Sequence, residues 1–308
     1  MNKALPLFPV IMGPTASGKS ALALRIAEQF SGEIISVDSM QVYRGLNIGT
    51  AKPTPEEQKK IPHYLVDAVD FTEKYDVFRF CSEAENLIGE IRSRGKLPVA
   101  AGGTGLYMRA LLYGLDPLPA DETIRKELDA LYDNEENFPA LCQIVAEEAP
   151  ADFEKFGNHR RKLIRAREVF LLTGQPMTLL QSRWKNAPSR ADARSFVLVW
   201  DNTQLRQRIA QRCVEMLRSG WIEETEQCQK NGLFSAPTAW QVLGYREIAA
   251  YLNGEFKLDE LKEKIITATW QYARRQNTWF RTQHPEAIRI NMPDPDAITK
   301  IAHELHLI

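Results

Sequence analysis

The run Gly13-Pro14-Thr15-Ala16-Ser17-Gly18-Lys19-Ser20 constrains this chain more than any other stretch of it. It fits the pattern G-x-x-x-x-G-K-[ST], and its flanks suit the motif: Phe8 to Met12 read as an apolar strand, and Ser20 to Gln29 carries Leu22, Ile26 and Ala27 at helical spacing. Strand, glycine loop and helix in that order make a phosphate cradle. Glycines let the backbone curl, successive N–H groups and the helix N-terminus present positive dipole, Lys19 adds a full charge, and the Ser20 hydroxyl is suited to ligate magnesium.

The same strand-then-loop arrangement recurs. Glu33 to Val37 reads as a second strand ending in Asp38-Ser39, Phe78 to Arg94 is helix-patterned, and Leu97 to Ala101 reads as a third strand ending in Gly102-Gly103-Thr104-Gly105. Strands alternating with helices predict an α/β fold, a P-loop NTPase-like parallel sheet flanked by helices. Such sheets gather ligand-binding loops at the carboxyl ends of their strands, so the glycine loop, Asp38 and Thr104 should share one edge. An ATPase or GTPase adds an aspartate at a nearby strand end to hold magnesium. The third strand ends in glycines and a threonine instead, which points to diphosphate chemistry other than hydrolysis or to a small kinase.

After Tyr113 the pattern changes. Pro117 and Pro119 punctuate it, and charged helical segments without a strand follow to about Ser189. We therefore expect residues 1–118 and 190–308 to form the catalytic core and residues 119–189 a helical insertion domain. Ser195 to Trp200 is a strand again, Gln204 to Arg218 and Leu258 to Thr282 are long helical patterns, and the proline-bearing Ala51 to His63 reads as a surface loop. The net charge of −1 hides a segregation: Asp116 to Glu154 holds twelve acids against two bases, whereas Lys155 to Arg190 holds nine bases and only Glu168 as an acid. A basic stretch of that kind suits a polyanionic partner, and a solvated helix face is the other reading.

The apolar run at the N-terminus is too short to span a bilayer and leads into the glycine loop, so no membrane association is expected. Cys81, Cys142, Cys213 and Cys228 are widely spaced on helix-like segments, which predicts free thiols, no structural zinc and a cytoplasmic protein. His303 and His306 near the C-terminus are expected to be surface residues.

The segments GPTASGKS, DSMQVYRGLNIGTAKP, GGTGLY, RKLIRAREVF, VLGYREI and RRQNTWFR occur in this order across almost the whole chain. The ordered set closely resembles the tRNA dimethylallyltransferases, the tRNA isopentenyltransferase family, in its bacterial form, since no Cys/His finger follows before Ile308. The resemblance implies transfer of the dimethylallyl group of dimethylallyl diphosphate to the exocyclic amine of the tRNA adenosine 3′ of the anticodon, with Mg2+ as cofactor. An adenine amine is a poor nucleophile, so a carboxylate that accepts its proton is required. Asp38 is the candidate, and by position alone it also fits a helix N-cap or a magnesium-associated acid. The cradle from Gly13 to Ser20 would hold the departing diphosphate. Thr104 would set its hydroxyl against the diphosphate or the base, or serve as a turn hydroxyl. An arginine from a later helix completes the set, Arg208 being favoured over Arg212.

The family's tRNA-contacting segments correspond here to Asp38, Ser39, Met40 and Gln41; to Arg161, Lys162, Leu163, Ile164 and Arg165; and to Gln241, Val242, Leu243, Gly244, Tyr245 and Arg246. They continue in Arg274, Arg275, Gln276, Asn277, Thr278, Trp279, Phe280 and Arg281, with Thr104 and Arg125 as single positions. Arginines there suit phosphates, while for Trp279 and Phe280 core packing is the expected role over base stacking. The segment Asn158 to Lys162 departs from the usual Asp-Pro followed by Gln-Arg, and Lys162 keeps the charge but loses the bidentate fork. The partner so implied is the tRNA anticodon stem-loop, bound by a monomer. A P-loop small-molecule or nucleotide kinase, with ATP in the loop, is the alternative, and an adenylate isopentenyltransferase lacking the tRNA segments is another.

Overall fold

The computed structural model describes residues 6–115, 118–185 and 188–308, so Pro117 of the expected boundary lies outside the described residues. In chain order the elements are β1 (Phe8–Met12), α1 (Lys19–Gln29), β2 (Gly32–Val37), α2 (Pro55–Lys60), β3 (His63–Tyr64), α3 (Val77–Ser93), β4 (Leu97–Gly102) and α4 (Gly105–Tyr113). Then come α5 (Glu122–Tyr132), α6 (Phe138–Glu148), α7 (Pro150–Phe156), α8 (Arg160–Thr173) and α9 (Met177–Lys185). The chain closes with β5 (Ala193–Trp200), α10 (Asn202–Arg218), α11 (Trp221–Lys230), α12 (Tyr245–Leu252), α13 (Leu258–Gln283), β6 (Ile288–Met292) and α14 (Ala297–Glu304).

Every strand pairing is parallel, in the order β3-β2-β4-β1-β5-β6. The central strands β1, β2 and β4 are buried along their whole length. That is what a parallel sheet covered on both faces demands, and it explains why these strands read as apolar runs and not as alternating patterns. Their carboxyl ends carry the glycine loop, Asp38 and Gly103-Thr104.

The segment Ala51 to His63, expected to be a loop, instead contains α2 and, at His63, the start of the edge strand β3. Thr54 N-caps α2 in a capping box, its hydroxyl accepting from Glu57 N while Glu57 Oε2 accepts from Thr54 N at 2.7 Å, with Pro55 in the first turn. Thr-Pro-Glu-Glu carries that helix start in plain view, and the prolines mask it. The strand β6 likewise lies outside the expected elements.

The chain divides into two compact units, Met1–Leu112 with Arg190–Ile308, and Tyr113–Ser189. The second is all helical, closed around Leu128, Leu141, Val145, Leu163 and Ile164. Within it the fully buried Asp152 of α7 caps α9, accepting from Met177 N and Thr178 N at 2.7 Å each. Among the described residues no helix is long and apolar enough to cross a membrane, and all four cysteines are free thiols on helices.

Candidate active site

The glycine loop folds as its sequence demands. Ser17 N donates to Pro14 O at 3.2 Å, and Gly18 at the N-cap of α1 has φ 88°, a left-handed conformation that glycine adopts without strain. No side chain caps the helix, so its first-turn N–H groups are left for an anion. Lys19 Nζ donates to Pro14 O at 3.2 Å. Burial and the neighbouring Arg212 lower its pKa from 10.5 to about 8, with Asp38 opposing.

Lys19, Ser20, Asp38, Arg212, Tyr272 and Arg275 line one cavity of about 390 Å3, with Thr15, Ser39, Met40, Gln41, Gln241, Val242, Leu243 and Gln276 also in its wall. The glycine loop, the β2 end and helices α10 and α13 thus meet as the sheet logic requires. Asp38 Oδ1 accepts from Met40 N at 2.9 Å and Gln41 N at 3.2 Å, while Oδ2 makes no hydrogen bond among the described residues. One oxygen fixes the carboxylate and the other is left to accept a proton. A second cavity of about 380 Å3 shares Lys19, Ser20, Ala51 and Arg212 with the first and extends to Lys52 and Arg208.

The floor of the first cavity is held by carboxylate and amide clamps. Glu224 of α11 accepts from the backbone N–H groups of Asn47, Ile48 and Gly49 at 2.8–3.1 Å and from the Tyr245 hydroxyl. Gln41 donates to Thr50 O and Ala51 O at 3.1 Å each and accepts from the Ser36 hydroxyl. Gln276 accepts from Thr15 N and donates to Gly103 O, both at 2.8 Å.

Several expected contact residues are placed elsewhere. Thr104 is not in the cavity wall: its hydroxyl accepts from Ser39 N at 3.0 Å and bonds the Ser39 hydroxyl, tying the β4 end to the β2 end. Arg208 donates to Ala16 O at 2.9 Å and lies over the Trp200 ring, whereas Arg212 lines both cavities, so the order of preference between these two is reversed. Burial lowers the Arg212 pKa, with Asp38 among the groups opposing.

Leu163 and Ile164 are fully buried in the insertion core, and Tyr245, Gly244 and Phe280 are buried in the catalytic unit, which leaves none of them a surface for RNA. Trp279 packs against Gly105. Arg125 and Arg165 both bind Glu168, which is 1% exposed. Burial would raise that carboxyl, but its hydrogen bonds from Arg165, Arg125 and Asp121 N hold it below the usual range. What remains exposed is Arg161 and Lys162 on α8, Arg246 stacked over the Trp240 ring, and Arg274, Arg275, Thr278 and Arg281 on α13, with Asn277 half-buried beside them. Tyr272 was missed, although it lies one helical turn before Arg275 and Gln276 and the period of 3.6 points to it.

For a divalent cation the cavity offers the Ser20 hydroxyl and the Asp38 carboxylate, and among the described residues no cluster of three acids, histidines or cysteines is present. That donor set fits magnesium, which keeps waters and takes its other ligands from substrate phosphates, and not a metal caged by protein alone.

Two family models match this chain, IPP transferase over residues 41–283 and isopentenyl transferase over residues 7–74. The tRNA dimethylallyltransferase of Geobacter sulfurreducens is 42% identical over 274 residues, 88% of this chain and 88% of that protein. The tRNA dimethylallyltransferase of Methylococcus capsulatus is 41% identical over 98% of this chain and 97% of its own. Among solved structures, the tRNA delta(2)-isopentenylpyrophosphate transferase of Staphylococcus epidermidis is 32% identical with a TM-score of 0.71, covering 98% of this chain and 100% of its own. A eukaryotic dimethylallyltransferase acting on tRNA is 28% identical with a TM-score of 0.82, over 96% of this chain and 78% of its own.

Proposed function

This chain belongs to the IPP transferase family of tRNA dimethylallyltransferases, and from that premise we propose how its cavity carries out the reaction. The protein is a prenyltransferase that modifies tRNA, and the kinase reading of its P-loop finds no support among these relatives. The donor is dimethylallyl diphosphate and the acceptor is the exocyclic amine of the adenosine 3′ of the anticodon, giving N6-isopentenyladenosine and diphosphate.

The observation that carries this reading is that one cavity is lined both by a phosphate cradle, with Lys19 and Arg212, and by a single carboxylate, Asp38. The amine lone pair attacks the first carbon of the allyl group as the carbon–oxygen bond to diphosphate breaks, its electrons leaving on the diphosphate oxygen. Asp38 Oδ2 accepts the proton released by the amine. Negative charge building on the leaving group meets Lys19, Arg212 and the first-turn N–H groups of α1, which are in place beforehand and need no reorganisation. Ser20, with Asp38 close by, would hold magnesium, which when bound would supply further charge neutralisation for the diphosphate. The target base must leave its stack to reach the cavity, and Arg274, Arg275, Arg281 and Arg246 in the catalytic unit, with Arg161 and Lys162 in the insertion, bind the flanking RNA backbone.

The test is incubation with radiolabelled dimethylallyl diphosphate, magnesium and unmodified tRNA reading UNN codons, with Asp38→Ala and Lys19→Ala alongside. Label in tRNA that both substitutions abolish is the expected result. Label only in free AMP, or ATP-dependent phosphorylation of a small molecule, would overturn it.

A further inference from the structure

Gln276 lies in a stretch of α13 whose exposed arginines suit RNA, yet its own side chain is 6% exposed and turned the other way. Its carbonyl accepts from Thr15 N in the glycine loop and its amide nitrogen donates to Gly103 O after β4, both at 2.8 Å. The amide orientation is dictated by the partners, because an N–H can only be accepted and a C=O can only be donated to. A carboxylate satisfies one partner and repels the other, and an apolar side chain satisfies neither. Gly103 is part of the same fit: a Cβ there would meet Gln276 Nε2 at 2.5 Å.

The two loops so joined carry the two halves of the reaction. Thr15 belongs to the cradle for the diphosphate. Gly103 leads into Thr104, whose hydroxyl bonds Ser39 N and the Ser39 hydroxyl, next to the carboxylate of Asp38. We propose that Gln276 is a positioning residue that sets the spacing between the phosphate cradle and the Asp38 loop, acting through Thr15 on one side and through Gly103, Thr104 and Ser39 on the other, and that it adds nothing to tRNA affinity. This rests on the transferase reading of the same cavity. Group transfer needs the breaking and forming bonds in line, and a misplacement of about 1 Å costs on the order of 100-fold in rate, so loosening the clamp should act on kcat more than on tRNA affinity.

The experiment compares wild type, Gln276→Met and Gln276→Glu in three readouts: single-turnover transfer at saturating tRNA, inhibition by inorganic diphosphate with magnesium, and tRNA binding. For Gln276→Met we expect transfer to fall about 100-fold, inhibition by diphosphate to weaken about 10-fold as the Thr15 side of the cradle loosens, and tRNA affinity to stay at the wild-type value. Gln276→Glu should recover toward wild type as pH falls, because a protonated carboxyl again both donates and accepts; a role confined to packing gives no such pH dependence. Weakened tRNA binding with diphosphate inhibition and saturated transfer unchanged would make Gln276 an RNA contact and overturn the proposal. So would wild-type behaviour of Gln276→Met in all three assays. Should Gln276→Met fail to fold, a flat pH profile of Gln276→Glu relative to wild type overturns it instead. A wild-type protein that transfers nothing to tRNA defeats the transferase reading, while direct binding of inorganic diphosphate with magnesium to the same variants, read by calorimetry, still decides the clamp.

Discussion

In the catalytic unit the buried Gln276 and the half-buried Lys19 and Arg212 direct their polar atoms at loop backbone and into a cavity, whereas in the insertion the most buried acids, Glu168 and Asp152, direct theirs at closing that unit's own helices. Both regions bury charge and satisfy it. They differ in what the satisfied group leaves over. Asp38 is held by one oxygen and has the other without a hydrogen bond among the described residues, while Glu168 is consumed from all sides by Arg125, Arg165 and Asp121 N. A basic motif is thus no guide by itself to where RNA lies, because two of the four cationic positions expected in the insertion, Arg125 and Arg165, serve as struts.

The comparison breaks first at Asp38. Asp38→Asn keeps the oxygen that accepts the loop N–H groups but not the proton acceptor, and transfer should fall about 1000-fold in single-turnover assays with tRNA affinity within about 3-fold; a loss under 10-fold would mean the reaction does not use this carboxylate. Next is the insertion's ion pair. Glu168→Gln leaves two guanidinium groups facing a neutral amide, and urea denaturation should show a loss of about 2–3 kcal/mol, less than for a fully buried pair because Arg125 is 36% exposed. Diphosphate inhibition should not move.

A smaller effect sharpens the contrast inside the insertion. Arg161→Ala and Lys162→Ala should each reduce the salt dependence of tRNA binding by about one phosphate's worth and weaken affinity several-fold, whereas Arg125→Ala should cost stability and leave the salt slope alone. The smallest effect is a fraction of a proton. Bound diphosphate favours the charged form of Lys19, whose pKa without ligand is about 8. Binding near pH 8 should therefore take up about half a proton through this residue, visible as buffer-dependent heat that Lys19→Met abolishes, and affinity should decline as pH rises above 8. The same depressed value sets the sign for folding. Between pH 8 and 10.5 the unfolded chain binds more protons at Lys19 than the folded one, so this residue's contribution to stability rises with pH in that window.

The cradle was legible because its geometry is a backbone property, written in glycines at fixed spacing between a buried strand and an amphipathic helix. Asp38 was legible for a related reason, since a strand end in a parallel sheet has one place to go. The preference for Arg208 over Arg212 had no ground in the helical pattern, because both lie on the same long helix and only tertiary packing decides that one lies over Trp200 while the other lines the cavity with Asp38. Leu163, Ile164, Tyr245 and Phe280 fall inside segments named for RNA contact, but a helical segment necessarily alternates faces, and these are the residues that face inward. The helix α2 was hidden by its own start signal, since Thr-Pro reads equally as a turn.

Glu224 has a further meaning beside that of a clamp. Three successive peptide N–H groups converging on one anion are the chemistry by which a glycine loop recognises phosphate, and at Asn47 to Gly49 the chain supplies the anion itself. The molecule therefore holds two anion receptors around one cavity and has silenced one of them with its own carboxylate. Under the proposed reaction an incoming diphosphate would be left a single address, and the reacting end of the donor would arrive in one orientation by subtraction of the alternative as much as by attraction to the cradle.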